Sequence, residues 1–314
     1  MEKLVHNHIK YQDVKGIYED IAKVVEKDRL YLNEAMKEHT YFRIGGPASL
    51  IVDIKSADEL IKVIECLNKK DALFFVMGNG SNLLVEDQGF PGVILKISQF
   101  YDGVTIKGHT VTAQSGVLLS TLSKAIAKEN LAGFEFASGI PGTVGGGITM
   151  NAGAYDGEMK DWVESVKVLT PDLKVLTLTN EAMNFGYRIS DVKRKDYIVL
   201  EASFTFELGD PKIIEEKTRD FTEKRTSKQP LALPSAGSMF KRPVGYYAGK
   251  LIDDAGLRGV RVGDAQISEK HCGFVVNRGQ ATCQEVLDLI KMVQKVVMDN
   301  YGVVLETEVK YLGG

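Results

Sequence analysis

The first hundred residues switch between strand-like and helix-like hydrophobic patterns. Short apolar runs at residues 50–54, 73–77 and 93–97 predict three strands. Between the first two runs, Ser56 and Glu59 have the spacing of a helix N-terminal capping box. Apolar positions then recur at helical spacing: Leu60, Val63, Ile64 and Leu67. This stretch is therefore predicted to be an α/β unit.

From about residue 104 the pattern changes to short alternating strands and glycine-rich loops. It predicts strands at 104–106, 111–114, 166–169, 175–178 and 198–206, and helices near 118–129 and 213–225. A stretch rich in proline and glycine, 229–249, is typical of a site loop or a domain junction. Thr282 and Glu285 form a second capping box, whose helix should stop at Gly302 before a final strand over 303–311.

The length of the chain predicts more than one domain. It has 314 residues, above the roughly 250–300 at which single cores usually stop growing. The expected division is 1–100, 101–225 and 226–302, with the strand in 303–314 returning to the first unit. The fold class is predicted to be α+β.

Composition and charge narrow the possible partners. The net charge is −3, which argues against a surface built for nucleic acid or an anionic membrane. Residues 1–27 lack an apolar signal core, and no run of about eighteen apolar residues occurs, so a cytoplasmic protein is expected. The three cysteines and five histidines have no zinc-ligand or disulfide spacing, and no metal site is expected.

Two glycine-rich loops are the candidate ligand sites. Gly78-Asn-Gly-Ser-Asn82 leaves an apolar strand, and its backbone N–H groups could converge on a diphosphate, although a tight turn explains it equally well. A branched side chain at Gly80 is expected to fill the diphosphate space. Residues 139–155 contain six glycines, a density that lets backbone lie against a large planar ligand; a merely flexible loop is the alternative.

The usual nucleotide motifs do not describe these loops. Neither loop matches G-x-G-x-x-G followed by a helix and an acidic residue, and no Walker lysine follows either. A dinucleotide would therefore have to bind through a fold other than the Rossmann or P-loop type.

Several ordered motifs resemble one family over nearly the whole chain, the UDP-N-acetylenolpyruvoylglucosamine reductases. The segments that carry the resemblance are G-N-G-S-N at 78–82, G-I-P-G-T-V-G-G at 139–146, N-A-G-A-Y at 151–155, Tyr187-Arg188, S-A-G-S-M-F at 235–240, A-G-K-L-I at 248–252, 268–277 and L-E-T-E-V at 305–309. The first loop alone would indicate only the wider vanillyl-alcohol-oxidase-type flavin fold. The short segment around Tyr187 resembles the shorter subtype of the family.

The resemblance implies a fold, a cofactor and a reaction. The fold would be a two-part FAD-binding domain of the vanillyl-alcohol-oxidase type plus a smaller C-terminal α+β substrate-binding domain. Non-covalent FAD would accept hydride from NADPH and pass it to UDP-N-acetylglucosamine enolpyruvate. The implied FAD contacts are Met77, Gly78, Asn79, Gly80, Ser81, Asn82, Leu83, Pro141, Gly142, Thr143, Gly145, Gly146, Ala152 and Gly153.

Three residues carry the chemistry that the resemblance implies. Arg188 would bind the substrate carboxylate, because a guanidinium can hold a carboxylate with two hydrogen bonds. Glu308 would polarise the developing enolate, and Ser238 would donate the proton. The residues alone leave a plain alternative for each. Arg188 could be a surface arginine, and Ser238 could be a serine in a turn. Glu308 could lie on a solvated strand face together with Glu306 and Lys310.

Positive charge also gathers around Ser238. Six cations and no acid occur from Lys224 to Lys250, which suits a diphosphate, although a charge run usually marks solvated surface. Arg225 and Tyr187 are the leading diphosphate contacts, with Lys228 beside them. Lys310 departs from the arginine expected in the family, and lysine cannot form the two-pronged contact.

Two other functions remain open. One is a flavin-dependent alcohol or sugar oxidase of the same wider fold, although no histidine or cysteine that could tether FAD occurs between Gly139 and Tyr155. The other is a nucleotide-sugar-binding regulator without enzymatic activity.

Overall fold

The first part of the chain forms a four-stranded sheet covered by helices. The computed structural model describes residues 14–155 and 157–313; part of the 1–27 segment considered above lies outside them. The elements are α1 (Val14–Ile21), β1 (Leu30–Ala35), β2 (Pro47–Ile54), α2 (Ala57–Lys69), β3 (Phe74–Met77), β4 (Leu83–Val85) and β5 (Phe90–Ile97). The sheet order is β1-β2-β5-β3, with β1 antiparallel and the others parallel. The three strands predicted here are confirmed.

The predicted capping box of α2 is only half formed. Ser56 Oγ accepts a hydrogen bond from the Glu59 N–H at 3.1 Å, as expected. The Glu59 carboxylate instead pairs with buried Arg29 and accepts from the Lys55 N–H. Glu59 takes this partner because a buried guanidinium needs an anionic partner more than a helix start needs a second cap.

The second part is built on a five-stranded antiparallel sheet. Its elements are β6 (Val104–Lys107), β7 (Thr110–Gln114), α3 (Leu119–Lys128), β8 (Leu131–Ala132), α4 (Val144–Thr149), β9 (Gly153–Ala154), β10 (Gly157–Glu158), β11 (Val163–Leu169), β12 (Val175–Thr179), α5 (Asp191–Arg194), β13 (Ile198–Thr205), β14 (Glu207–Leu208) and α6 (Pro211–Lys228). The sheet order is β12-β11-β13-β7-β6. Helices α3 and α4 share one buried apolar core with this sheet.

The third part is a small α+β unit. Its elements are α7 (Ala248–Asp254), β15 (Arg261–Val262), β16 (Ala265–Ile267), β17 (Val275–Asn277), α8 (Cys283–Tyr301) and β18 (Lys310–Leu312). Both halves of the capping box at Thr282 and Glu285 are present, and Gly302 ends α8 with a φ of +66°, as predicted. An apolar stripe of α8 is buried against β15 and β16.

Polar contacts join the third part to the first. The Asp87 carboxylate accepts from the N–H groups of Cys283 and Gln284 at 2.7 and 3.0 Å, at the start of α8. Strand β18 pairs in parallel with β4, so the end of the chain lies beside the 78–82 loop. The predicted boundaries at 100, 225 and 302 stay a prediction.

The final strand is shorter than predicted. Residues 303–309 are not part of a strand, and β18 begins only at Lys310. The 306–308 backbone instead bonds to the 239–241 segment: Lys241 N–H donates to the Glu306 carbonyl and Glu308 N–H to the Met239 carbonyl. The alternative of a solvated face shared by Glu306 and Glu308 does not hold either, because the Glu306 side chain is 69% exposed and the Glu308 side chain only 15%.

Candidate functional site

The two glycine loops contact each other. Ser81 Oγ donates a hydrogen bond to the Pro141 carbonyl at 3.3 Å. A Cβ added to Gly78 would lie 2.4 Å from Thr143 Oγ1, and one added to Gly142 would lie 2.8 Å from Ser81 Oγ. Glycine at these two positions therefore lets the loops approach each other closely.

Gly80 is required by the chain itself. Its φ is +63°, and an added Cβ would lie 2.5 Å from the His39 carbonyl oxygen. A side chain here would meet protein backbone, so the fold itself already requires glycine at this position; that a branched side chain would fill the diphosphate space stays a prediction. The sequence around Gly80 does not predict the contact with His39, because His39 is about forty residues away in the chain.

The second glycine loop is partly helical. Thr143 caps α4, which contains the Gly145-Gly146-Gly147 run. A Cβ on Gly145 would lie 3.0 Å from Ser115 Cβ, whereas one on Gly146 would have no neighbour closer than 3.8 Å. Gly146 is exposed and borders open space beside the loop contact. Of the two, it is the glycine at which an added Cβ would find space.

The last two residues of the implied FAD set have structural roles. The Ala152 N–H donates to the Gly147 carbonyl, and the Ala152 carbonyl accepts from the Met159 N–H. A Cβ on Gly153 would lie 2.7 Å from the Gly157 carbonyl oxygen, across the pairing of β9 with β10. The local strand pair already explains why Gly153 is glycine.

A cleft of about 930 Å³ opens beside the loops and carries unpaired polar atoms. Asn79, Pro141 and Arg225 of the predicted set line it. The buried Ser138 Oγ and Gln229 Oε1, which also line it, have no hydrogen-bond partner among the described residues. Buried polar atoms are normally satisfied, so this cleft fits a large polar ligand such as FAD or a nucleotide sugar.

The sequence missed part of the cleft wall. His39 and Lys96 line it, and Lys96 Nζ lies 3.2 Å from His39 Nδ1, while Glu34 Oε1 lies 3.3 Å from His39 Nε2. The cleft is also lined by Ser98, Gln99 and Gly116. None of these residues forms a recognisable motif, since three separate parts of the chain bring them together: the turn after β1, the end of β5 and the residues after β7.

Arg225 reaches the cleft from the last turns of α6. An added Cβ on Gly139 would lie 2.7 Å from Arg225 Cδ, so glycine makes room for the arginine. Tyr155 and Phe221 stack nearby, with ring centroids 4.6 Å apart. Burial lowers the pKa of Arg225, and its guanidinium forms no ion pair or hydrogen bond with the described residues.

Half of the basic run is neutralised. Lys224, Lys241 and Lys250 pair with Asp220, Glu306 and Asp254. Within 14–155 and 157–313, no ion partner is found for the other three cations, Arg225, Lys228 and Arg242. Lys228 is exposed and is not among the residues that line the cleft.

Tyr187 and Arg188 form a second cluster with Glu308. Arg188 Nε donates to Glu308 Oε1 at 2.8 Å. Burial raises the pKa of Glu308, and the charges of Arg188, Lys241 and Lys310 oppose that rise. Tyr187 is half exposed, and its hydroxyl accepts from the Arg242 N–H at 3.1 Å.

Ser238 lies next to this cluster. It forms an isolated bridge with Phe274, and the following residue, Met239, accepts from the Glu308 N–H at 2.9 Å. The Ser238 hydroxyl is half-buried and makes no hydrogen bond to any residue that the structure describes. Gly237 and Phe274 line the cleft, so Ser238 lies at its edge.

Asn82 connects the first glycine loop to Glu308. Its Nδ2 donates to the Glu308 carbonyl at 3.3 Å, and its own carbonyl accepts from the Lys310 N–H at 3.0 Å. The structure thus brings the three predicted chemical residues together and attaches them to the 78–82 loop.

Two family models match separate parts of the chain. A family model described as "FAD binding domain" matches residues 48–179, and one described as "UDP-N-acetylenolpyruvoylglucosamine reductase, C-terminal domain" matches 229–312. The reductase of Alkaliphilus oremlandii is 51% identical, covering 94% of this chain and 97% of its own length. That of Caldanaerobacter subterraneus subsp. tengcongensis is 48% identical, with coverage of 95% and 98%.

A solved structure matches as well. The crystal structure of the reductase from Thermus caldophilus is 34% identical and superposes with a TM-score of 0.77, covering 90% of this chain and 98% of that one. The FAD-binding domain and the cleft beside it define a flavin-dependent oxidoreductase with FAD as cofactor. The chain belongs to the UDP-N-acetylenolpyruvoylglucosamine reductase family. The resemblance and the fold class inferred from the sequence are confirmed.

Proposed function

We propose that this chain reduces UDP-N-acetylglucosamine enolpyruvate to UDP-N-acetylmuramate with NADPH, in peptidoglycan precursor synthesis. The observation that carries the proposal is the Arg188–Glu308 pair, 2.8 Å between Nε and Oε1, attached to a flavin loop through Asn82. The net reaction adds a hydride to the terminal vinyl carbon and a proton to the carbon beside the carboxylate, while NADPH becomes NADP⁺. Bound FAD supplies the hydride relay.

Arg188 has donors left for the substrate. Its Nε is used by Glu308, whereas its two Nη groups make no hydrogen bond to the described residues. A guanidinium can therefore hold the enolpyruvyl carboxylate with its Nη groups and Glu308 with its Nε at the same time. This arrangement stabilises the negative charge that develops on the substrate after hydride addition.

Glu308 and Ser238 divide the handling of protons. Burial raises the pKa of Glu308, which favours a protonated carboxyl that can donate a hydrogen bond to the developing enolate. The Ser238 hydroxyl would deliver the proton to carbon, and its lack of a partner among the described residues leaves it able to turn toward substrate. A hydroxyl is a weak acid, so proton donation by Ser238 depends on Arg188 and Glu308, which stabilise the negative charge that develops on the substrate.

The substrate diphosphate would bind Arg225; Tyr187, the other predicted diphosphate contact, is half exposed beside Arg188 and is not among the residues that line the cleft. Arg225 is a partly buried cation without a protein partner in the described chain, a state that an anionic ligand would relieve. Lys228, exposed and outside the lining, would act only at longer range. Nucleic acid is not an expected partner, because the net charge is −3.

A cytoplasmic location is part of the proposal, because the proposed substrates, a nucleotide sugar and NADPH, occur in the cytoplasm. In the part of the chain that the structure describes, no helix has the length and apolar character needed to cross a membrane.

The decisive experiment separates the two half-reactions without oxygen. NADPH should bleach the yellow enzyme, and UDP-N-acetylglucosamine enolpyruvate should restore the colour and yield UDP-N-acetylmuramate. Acid precipitation should release FAD, as expected for a non-covalent cofactor. Colour that returns only with oxygen would favour the oxidase, and a colourless protein that binds the nucleotide sugar would favour the regulator.

A further inference from the structure

Arg188 stands in a strained turn. Gly186 and Ile189 exchange backbone hydrogen bonds at 2.9 and 3.4 Å around Tyr187 and Arg188. Arg188 has a φ of +58°, at a turn position that usually takes glycine or asparagine. Such a conformation persists only where the surroundings hold it, so a contact must hold this turn.

The side chain of Asn151 provides that contact. Its Nδ2 donates to the Gly186 carbonyl at 3.1 Å and to Glu158 Oε2 at 2.9 Å, and its Oδ1 accepts from the Lys160 N–H at 3.0 Å. The residue is fully buried. Both amide donors are used inside the protein, so Asn151 has no donor left for a flavin, although it belongs to a glycine-rich stretch that otherwise indicates cofactor contact.

A second bond holds the other side of the turn. Ser190 is fully buried, and its Oγ donates to the Thr149 carbonyl at 3.0 Å. Thr149 is the last residue of α4, and Asn151 follows two residues later. The turn that presents Arg188 is thus fixed on both flanks by the end of the second glycine loop.

We infer that Asn151 is a positioning residue for Arg188: its amide fixes the Gly186 carbonyl so that the strained turn presents the guanidinium to Glu308 and to the substrate carboxylate. The inference rests on the proposed function, because it requires Arg188 to hold that carboxylate. It also links the two ligands, since the loop beside FAD sets the position of the arginine that binds substrate.

The test is Asn151→Gly in the holoenzyme. Glycine accepts the φ of +43° at this position, so the backbone is retained while the amide is removed. We expect NADPH bleaching to stay within about twofold of the parent at matched FAD occupancy. Reoxidation by UDP-N-acetylglucosamine enolpyruvate should slow by roughly 10- to 100-fold, the cost of a misplaced binding group.

A double-mutant cycle shows whether Asn151 acts through Arg188. In an Arg188→Ala background, Asn151→Gly should slow reoxidation no further, because the side chain that it positions is gone. Equal slowing in both backgrounds, or equal slowing of both half-reactions, would overturn the inference. If reoxidation is unchanged in the Arg188→Ala variant, the proposed function fails. If Arg188→Ala slows reoxidation but Asn151→Gly leaves it unchanged, only the inference about Asn151 fails.

One further variant controls for folding, and a second tests the amide donor of Asn151. Asn184 has a φ of +44° and bonds to Asp191 rather than to the turn, so Asn184→Gly should leave both half-reactions unchanged. Asn151→Asp keeps the size and the acceptor for Lys160 but loses the N–H donors to Gly186 and Glu158, and it sets a carboxylate against that of Glu158. It should reproduce the selective slowing of reoxidation, and a parent-like rate would contradict the inference.

Discussion

Valine at Gly80 and at Gly146 should separate a glycine required by the chain from one that makes room for FAD. The substitution is identical and both sites lie in the two glycine-rich loops, but their surroundings differ. An added Cβ at Gly80 would lie 2.5 Å from the His39 carbonyl at a φ of +63°, whereas one at Gly146 would have 3.8 Å of clearance.

The structure gives the size of each effect. At Gly80, a left-handed conformation costs a side chain about 1–2 kcal/mol, and relieving the overlap costs about 1–3 kcal/mol, so the loss is roughly 2–5 kcal/mol. At Gly146, valine replaces glycine within α4, where helix propensity improves by a few tenths of a kcal/mol. The FAD-free Gly146→Val protein should therefore be as stable as the parent within about 0.5 kcal/mol.

Urea unfolding of the FAD-free proteins and fluorescence titration with FAD measure the two effects. We expect Gly80→Val to unfold at clearly lower urea, and Gly146→Val to unfold like the parent but bind FAD poorly. A Gly80→Val protein of parental stability would refute the argument from backbone conformation. Normal FAD affinity in Gly146→Val would show that the open space beside α4 is not occupied by the cofactor.

Three further outcomes are expected. Arg225→Ala should weaken UDP-sugar binding by about 1.5–3 kcal/mol in calorimetry, whereas Lys224→Ala, which removes a cation already paired with Asp220, should not; equal effects would indicate only long-range charge. Ser238→Ala should bleach normally with NADPH but reoxidise at least about a hundredfold more slowly in stopped flow, and equal slowing of both steps would exclude it as proton donor. Glu59→Ala should lower the free energy of unfolding by about 3 kcal/mol, because it leaves buried Arg29 without its main partner; unchanged urea unfolding would contradict this.

Local patterns predicted the elements better than the contacts between them. The apolar stripes of α2 and α8 and three of the four strands of the first sheet follow from local apolar patterns, whereas β1 was not predicted. The pairing of Lys224 with Asp220 and of Lys250 with Asp254 was also readable, since oppositely charged residues four apart meet on a helix. The count of six cations left out the acidic residues one helical turn away, Asp220 and Asp254, and therefore overestimated the positive charge that is available to a ligand.

Glu308 shows what a local pattern cannot predict. Alternation around Glu306 and Glu308 indicates a solvated strand face, but the segment is held by the 239–241 backbone and not by a regular sheet. Arg188, which pairs with Glu308, comes from a different part of the chain. The burial of Glu308 depends on contacts between residues more than 60 positions apart, which neither propensity nor spacing can reveal.

The shared arginine couples substrate binding to the protonation of Glu308. Burial raises the pKa of Glu308 above its ordinary value of 4.5, and Arg188 is the first of the charges that hold it down. A substrate carboxylate on Arg188 would offset that positive charge, so the pKa of Glu308 should rise further in the complex. At a pH between its values in the free and bound enzyme, Glu308 then takes up a proton as the substrate binds. The binding enthalpy should accordingly change with the ionisation enthalpy of the buffer in calorimetry, and Glu308→Gln should abolish that dependence. A binding enthalpy that is the same in all buffers across the acidic range would refute the coupling.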